Sequence, residues 1–202
     1  MKPIAKTLSE SLPDEVDQAR AREYSLLSVL LLNSPDVPLL ARLADLRGDT
    51  STLGRAHEAL ALAAAEVDAD KVSREYFNLF VGVGRGELLP YASFYLTGSL
   101  HARPLAGLRE TLRGIGVERA DWLKEPEDHA GVLFEIMAAL CTADIEAPKG
   151  TDRKMFQSYL APWIDRFFED LEHAKSAQFY ACVGALGRVF TAIEVEAFTI
   201  QT

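Results

Sequence analysis

The apolar positions along this 202-residue chain recur at spacings of three and four, which predicts helices almost throughout. The first runs from Asp14 to Asn33, with Ala19, Tyr24, Leu27, Leu30 and Leu31 near one face, and Asn33-Ser34-Pro35-Asp36 ends it. A shorter helix is expected over Val37–Leu46. Gly48-Asp49-Thr50-Ser51 then supplies a turn and an N-cap for the alanine- and leucine-rich stretch Thr52–Glu66. Val67–Val81 reads as a fourth helix ending in Tyr76, Phe77 and Phe80. From Gly82 to Gly98 the period is lost among Gly84, Gly86, Pro90 and the aromatics Tyr91, Phe94 and Tyr95, which predicts a loop.

Helical patterning returns over Pro104–Ile115, stops at Gly116 and resumes at Pro126, a favourable first helical residue. The intervening segment, 117–124, is a hinge candidate. From Val132 to Cys141 the next helix is apolar on almost every side except at Glu135, so it belongs in the interior. Ala147-Pro148-Lys149-Gly150 breaks the chain. Asp152–Ala174 is amphipathic, carrying Tyr159, Trp163, Phe167 and Leu171, and Ser176 is expected to cap a last buried helix reaching about Phe198. No hairpin, strand run or internal repeat is evident. The expectation is all-α: one bundle-like domain over 1–202, of about eight to ten helices, with a hinge near 116–125. A subdivision into 1–116 and 126–202 is the alternative organisation.

Composition narrows the function classes. With 49% apolar and 25% charged residues the chain is an ordinary globular protein. Its net charge of −9 disfavours nucleic acid and anionic lipid and suits a basic partner. Cys141 and Cys182 sit in apolar helical runs without CxxC spacing, so neither a disulfide framework nor a thiolate zinc site is expected. Met1–Thr7 meets acidic residues before any apolar run, and Leu26–Leu32 is too short to cross a bilayer. A cytoplasmic location without stable membrane insertion follows as an expectation.

Three constellations invite chemistry. Gly82-Val83-Gly84-Arg85-Gly86 follows a helix and is succeeded by Glu87, so it fits neither phosphate-loop pattern and is expected to end a helix with left-handed glycines. Glu125-Pro126-Glu127-Asp128-His129 gathers three carboxylates and an imidazole at a helix start. Acidic first turns satisfy orphan amides, and that role stays open. On a helix, however, His129 would stack with Leu133, Ile136 and Leu140, and Asp128 would align with Val132 and Glu135. That places a carboxylate and an imidazole at the rim of a buried face, where a partner's arginine or amide could be held. The aromatic set Tyr76, Phe80, Tyr91, Phe94 and Tyr95, with Leu79, reads either as core or, in its loop part, as a partly exposed apolar groove. Glu135 and Arg188, isolated charges in apolar helices, are expected to pair. The four histidines are scattered without paired ligand spacing, so no catalytic residue, metal or cofactor is assigned. A metal- or nucleotide-dependent hydrolase using Glu127, Asp128 and His129 is the rival class.

Three elements, in this order, resemble the TorD/DmsD chaperones that mature molybdenum-containing oxidoreductases. They are Tyr76-x-x-Leu79-Phe80 running into Val81-Gly82, the segment Leu89-Pro90-Tyr91-Ala92-Ser93-Phe94-Tyr95-Leu96, and Glu125-Pro126-Glu127-Asp128-His129, which is similar to the family's EPxDH signature at every fixed position. The likeness covers about Glu75 to Cys141. It implies an all-helical fold and a chaperone that binds the twin-arginine signal peptide, or the unfinished body, of its client and delays export until the cofactor is inserted. It carries the peptide-binding role onto Tyr76, Leu79, Phe80, Pro90, Tyr91, Asp128 and His129, and Phe94, Tyr95 and Glu125 in the same segments complete the candidate set. Several relatives have tryptophan where Tyr76 and Tyr91 stand, and a Gly-Pro where this chain has Gly82-Val83-Gly84. Guanine nucleotide binding, associated with some members, has no independent support in these residues. Dimethyl sulfoxide reductase, trimethylamine oxide reductase and formate dehydrogenase are the clients the resemblance implies, with a lean to formate dehydrogenase, for a monomer or a domain-swapped dimer. The chain's own start carries no twin arginine, as expected of the reader rather than the cargo.

Overall fold

A computed structural model describes residues 14–119 and 124–200. Among them are ten α-helices and no strand: α1 (Glu15–Leu32), α2 (Val37–Ala44), α3 (Thr52–Glu66), α4 (Ala69–Tyr76), α5 (Ala92–Thr97), α6 (Arg103–Gly114), α7 (Ala130–Cys141), α8 (Thr151–Met155), α9 (Ile164–Glu172) and α10 (Phe179–Ile200). The all-α expectation holds. The middle of the hinge candidate, 120–123, and the N-terminal segment lie outside the described residues.

Local chemistry starts the early helices. The side chains of Asp14, Asp36, Ser51 and Asp68 each accept a backbone N–H three residues on, at the N-termini of α1, α2, α3 and α4. Helix α4 widens into a π turn over Phe77–Val81, and Gly82, at φ 62°, ends it by donating its N–H back to Phe77 O. That is the role expected of the glycine run.

Helix α7 is the centre. Nine of its residues are buried, from Ala130 to Cys141, and α1 lies along it. The two backbones approach closely at Gly131, where a Cβ would stand 2.6 Å from Leu32 Cγ, and Ser28 Oγ donates to Gly131 O at 2.8 Å. Helix α9 packs along α10, and α3 packs on both α2 and α10. The Phe134 ring of α7 stacks on Phe168 of α9, joining the two halves of the core. A buried carboxylate, Glu194 of α10, is held by a forked Arg20 guanidinium at 2.8–3.1 Å and by the Tyr24 hydroxyl at 2.6 Å, so its charge is matched where water is absent.

Several boundaries differ from the sequence expectation. The 82–98 segment contains α5, six residues too short to show a helical period and started by a carboxylate from elsewhere in the chain. Helix α7 begins at Ala130 rather than Pro126, because residues 126–129 form a turn closed by His129 N–H to Pro126 O. The Asp152–Ala174 stretch is interrupted: a second π turn, Phe156–Leu160, and the extended φ of Trp163 divide α8 from α9. Glu135 and Arg188 do not pair. Glu135 is exposed on the one wet side of α7, while Arg188 finds Glu172 at 2.9 Å and Asp165 at 3.7 Å on the adjacent α9.

The last correction concerns the start of α10. Ser176 does not cap it. The Glu75 carboxylate, 8% exposed on α4, accepts the N–H groups of Gln178, Phe179 and Tyr180 at 2.7–3.2 Å. Glu75→Ala is therefore expected to lower the unfolding free energy by about 3 kcal/mol, because buried donors lose a charged acceptor, while Ser176→Ala changes it by less than about 1 kcal/mol. Urea unfolding of the two variants measures the difference.

Candidate functional site

The signature segment and the aromatic segment meet at a single antiparallel bridge between Tyr91 and His129. Ala92 N–H donates to Asp128 O at 3.0 Å, and Ala130 N–H donates to Pro90 O at 2.8 Å. Asp128 Oδ2 accepts Ser93 N–H at 2.9 Å, so this carboxylate sits at the first turn of α5 as a cap supplied from a distant segment. His129 is the N-cap of α7, its Nδ1 accepting Gly131 N–H at 3.0 Å, and the Tyr91 ring meets its imidazole edge-on at 5.2 Å. An accepting Nδ1 fixes the neutral tautomer with the proton on Nε2. Burial pushes the imidazole pKa down to about 3, consistent with that assignment.

Asp128 and His129 are thus brought to the same place but are enclosed, at 1% and 3% exposure. Accessible chemistry lies beside them. Glu125 accepts the Tyr91 hydroxyl at 2.7 Å and has no cationic partner among the described residues. Burial, and then the bond to Glu125, push the Tyr91 phenol pKa up, so it stays a donor. Tyr76 is half-buried nearby, its pKa pushed up to about 12 by burial and by the Glu125 charge. Its hydroxyl donates to the carbonyls of Leu31 and Leu32, satisfying the end of α1, and its ring packs with Phe80 and Tyr180. Tyr76, Phe80, Tyr91 and Glu125, all partly exposed, therefore form one locus, with the buried Pro90, Asp128 and His129 beneath it.

The remaining candidates fall elsewhere. Leu79 is fully buried in the core. Phe94 lies under the Arg85 guanidinium, and Tyr95 donates to Asp170 at 2.9 Å and packs on Trp163 and Phe167. Both line a separate depression of about 340 Å³ that includes Arg166 and Asp170.

Two contributors were not legible in the sequence. Arg109 of α6 forks onto Glu127 at 2.8–3.0 Å. Burial raises the Glu127 pKa, but the guanidinium more than offsets this and holds it below the usual range. The pair ties the signature turn to α6 and walls a cleft of about 470 Å³ between α6 and α7, floored by Leu112, Val132 and Ile136. Ser93, which meets Asp128, is the other. Nothing in a sequence marks an arginine on a polar helix face or a serine in a loop as partners of a motif 18 or 35 residues away. Glu127, Asp128 and His129 are committed to three different partners, and among the described residues no group of three His, Cys, Asp or Glu side chains is placed to hold a metal. The hydrolase reading gains no support from this geometry.

Comparison with known proteins bears on the same segments. The family model described as nitrate reductase delta subunit matches residues 47–169. The chain is similar to the chaperone protein TorD of Shewanella loihica, 26% identical over 205 residues and spanning 90% of this chain and 93% of that one. It is also 26% identical over 136 residues to the chaperone protein TorD of Aliivibrio fischeri, a match covering 62% of this chain and just under two thirds, 63%, of the relative. A crystal structure described as a redox enzyme maturation protein from Archaeoglobus fulgidus superposes with a TM-score of 0.56 at 19% identity, over 86% of this chain and 93% of that one, a likeness of fold.

The His129 imidazole sets an acid limit on the site. Its folded pKa lies below the value of 6.5 for an unperturbed imidazole. Between those two values only the unfolded chain takes up the proton. The contribution to stability is whole above pH 6.5 and is lost as the pH falls towards about 3, with a limiting slope of about 1.4 kcal/mol per pH unit. His129→Asn keeps an N-cap acceptor without a titrating ring. Urea midpoints from pH 7 to 4 are expected to fall less steeply for this variant than for the wild type.

Proposed function

Since this chain belongs to the nitrate reductase delta subunit family, the TorD-like chaperones of redox enzyme maturation, we propose that it binds the twin-arginine signal peptide of a molybdenum-containing oxidoreductase at the Tyr76–Phe80–Tyr91–Glu125 locus. The observation that carries the site is the Glu125 carboxylate: it is bonded to the Tyr91 hydroxyl, lacks a cationic partner among the described residues, and acts electrostatically on Tyr76, whose ring packs with Phe80. A guanidinium from the peptide completes the carboxylate with charge-assisted hydrogen bonds, and the peptide's apolar run packs on the rings. Asp128 and His129 position this locus by fastening Pro90 to Ser93. Acting in the cytoplasm, such a chaperone holds the client until its cofactor is in place. No helix among the described residues is long and apolar enough to cross a membrane. Formate dehydrogenase is the client this reading favours.

Titration calorimetry with twin-arginine signal peptides from candidate clients tests it. Glu125→Gln is expected to weaken binding about tenfold, the worth of one charge-assisted hydrogen bond, and Phe80→Ala to weaken it by a similar factor. Equal affinity of both variants and the wild type would remove the site. No binding by the wild type to any twin-arginine peptide would remove the function.

A further inference from the structure

We propose that the groove between α1 and α2 is a docking surface for an acidic amphipathic helix of a partner protein, separate from the peptide locus and of opposite charge preference. The chain carries a net charge of −9, so its average field repels an acidic partner, and such a partner is held only where cations stand uncompensated beside apolar surface.

The groove meets that condition. Helix α2 leaves α1 at the turn 33–36 and packs on α3 rather than back along α1, so the two helices diverge around an open depression of about 650 Å³. Counted from the turn, its walls are first apolar, with Val29 and Leu26 on α1 and Leu39 on α2, and then cationic, with Arg22 on α1 and Arg42 on α2. Val29 is 37% exposed, and Leu26 and Leu39 are half-buried. Neither guanidinium has a hydrogen-bond or ion-pair partner among the described residues, and Asp45, three residues past Arg42 at the C-cap of α2, makes no ion pair with it. Arg20, Arg109 and Arg188, by contrast, each pair with a carboxylate. The cleft at α6 and the depression at Phe94 both include carboxylates; this groove includes none.

The shape selects a helix. Two walls meeting at a turn leave a small molecule largely wet, whereas a third helix can lay one ridge between them. From Gln18 to Val29 the α1 wall runs about 16 Å, three helical turns. A helix of that length with apolar residues at i, i+3 or i+4 and i+7 covers the apolar end. Asp or Glu one turn further on meets Arg22 and Arg42 in charge-assisted hydrogen bonds. Thr142, just past the end of α7, also lines the groove, so it lies at the far end of that helix from the signature turn, about 18 Å away. Both surfaces can therefore be filled together.

Fluorescence anisotropy with a labelled, stapled helical peptide of leucine and glutamate in amphipathic register is the test. The wild type is expected to bind it, less tightly as salt rises. Arg22→Glu and Arg42→Glu are each expected to weaken binding about tenfold and Val29→Ser about threefold, while Arg22→Lys keeps most of the affinity. Both arginines are exposed, so urea midpoints of these variants are expected to match the wild type. No binding by the wild type, or equal affinity of the wild type and the two charge reversals, would overturn the surface. Sedimentation showing a dimer that Arg42→Glu dissociates would give the groove to a second copy of the chain and overturn the acidic-helix occupant. Twin-arginine peptides take no part in these measurements, so this surface and the peptide locus fail separately.

Discussion

A helix that starts inside a protein must have its first amides satisfied there, because no water reaches them. Helix α7 is the extreme case, apolar on nearly all sides and central to the fold, and its start decides where the neighbouring segments go. Pro90 O takes the Ala130 amide and the His129 ring takes that of Gly131. These two acceptors force the aromatic segment against the signature segment, and from that contact follow the placement of α5, of Tyr91 and of Glu125.

The same constraint recurs around the molecule and is met in the same way. Asp128 caps α5, Glu75 caps α10, and Glu87 accepts the Lys175 and Ser176 amides in the turn before α10. Each is a carboxylate supplied by one element to the backbone of another, so each doubles as a tertiary tie. Such ties are directional, and they complement the side-chain packing of α1 on α7 and of α9 on α10, which sets distances but tolerates slippage.

This arrangement also explains how a signature of charged residues can be largely hidden. In Glu125–His129 the residues divide their work: Glu127 anchors to Arg109, Asp128 and His129 hold backbone amides, and Glu125, without a cationic partner among the described residues, accepts the Tyr91 hydroxyl. On the proposed peptide-binding reading, the accessible groups form one layer and the fixing groups the layer below, so substitutions in the two layers would alter binding by different routes.

The helical period alone determined the fold class, the four early helices to within a few residues, and the buried character of α7, because each of these depends on side chains adjacent along a helix face or on a cap three residues away. Ser51 before α3 and the left-handed Gly82 are of this kind. Only the tertiary structure decided that Glu75 rather than Ser176 starts α10, that Arg188 turns to Glu172 rather than Glu135, that α5 exists, and that Asp128 and His129 lie beneath the surface while Glu125 remains available. Those outcomes depend on pairs from different elements, 16 residues apart for Arg188 with Glu172, 35 for Ser93 with Asp128 and 105 for Glu75 with Tyr180. No periodicity encodes which carboxylate will stand nearest a given orphan amide once the helices have packed.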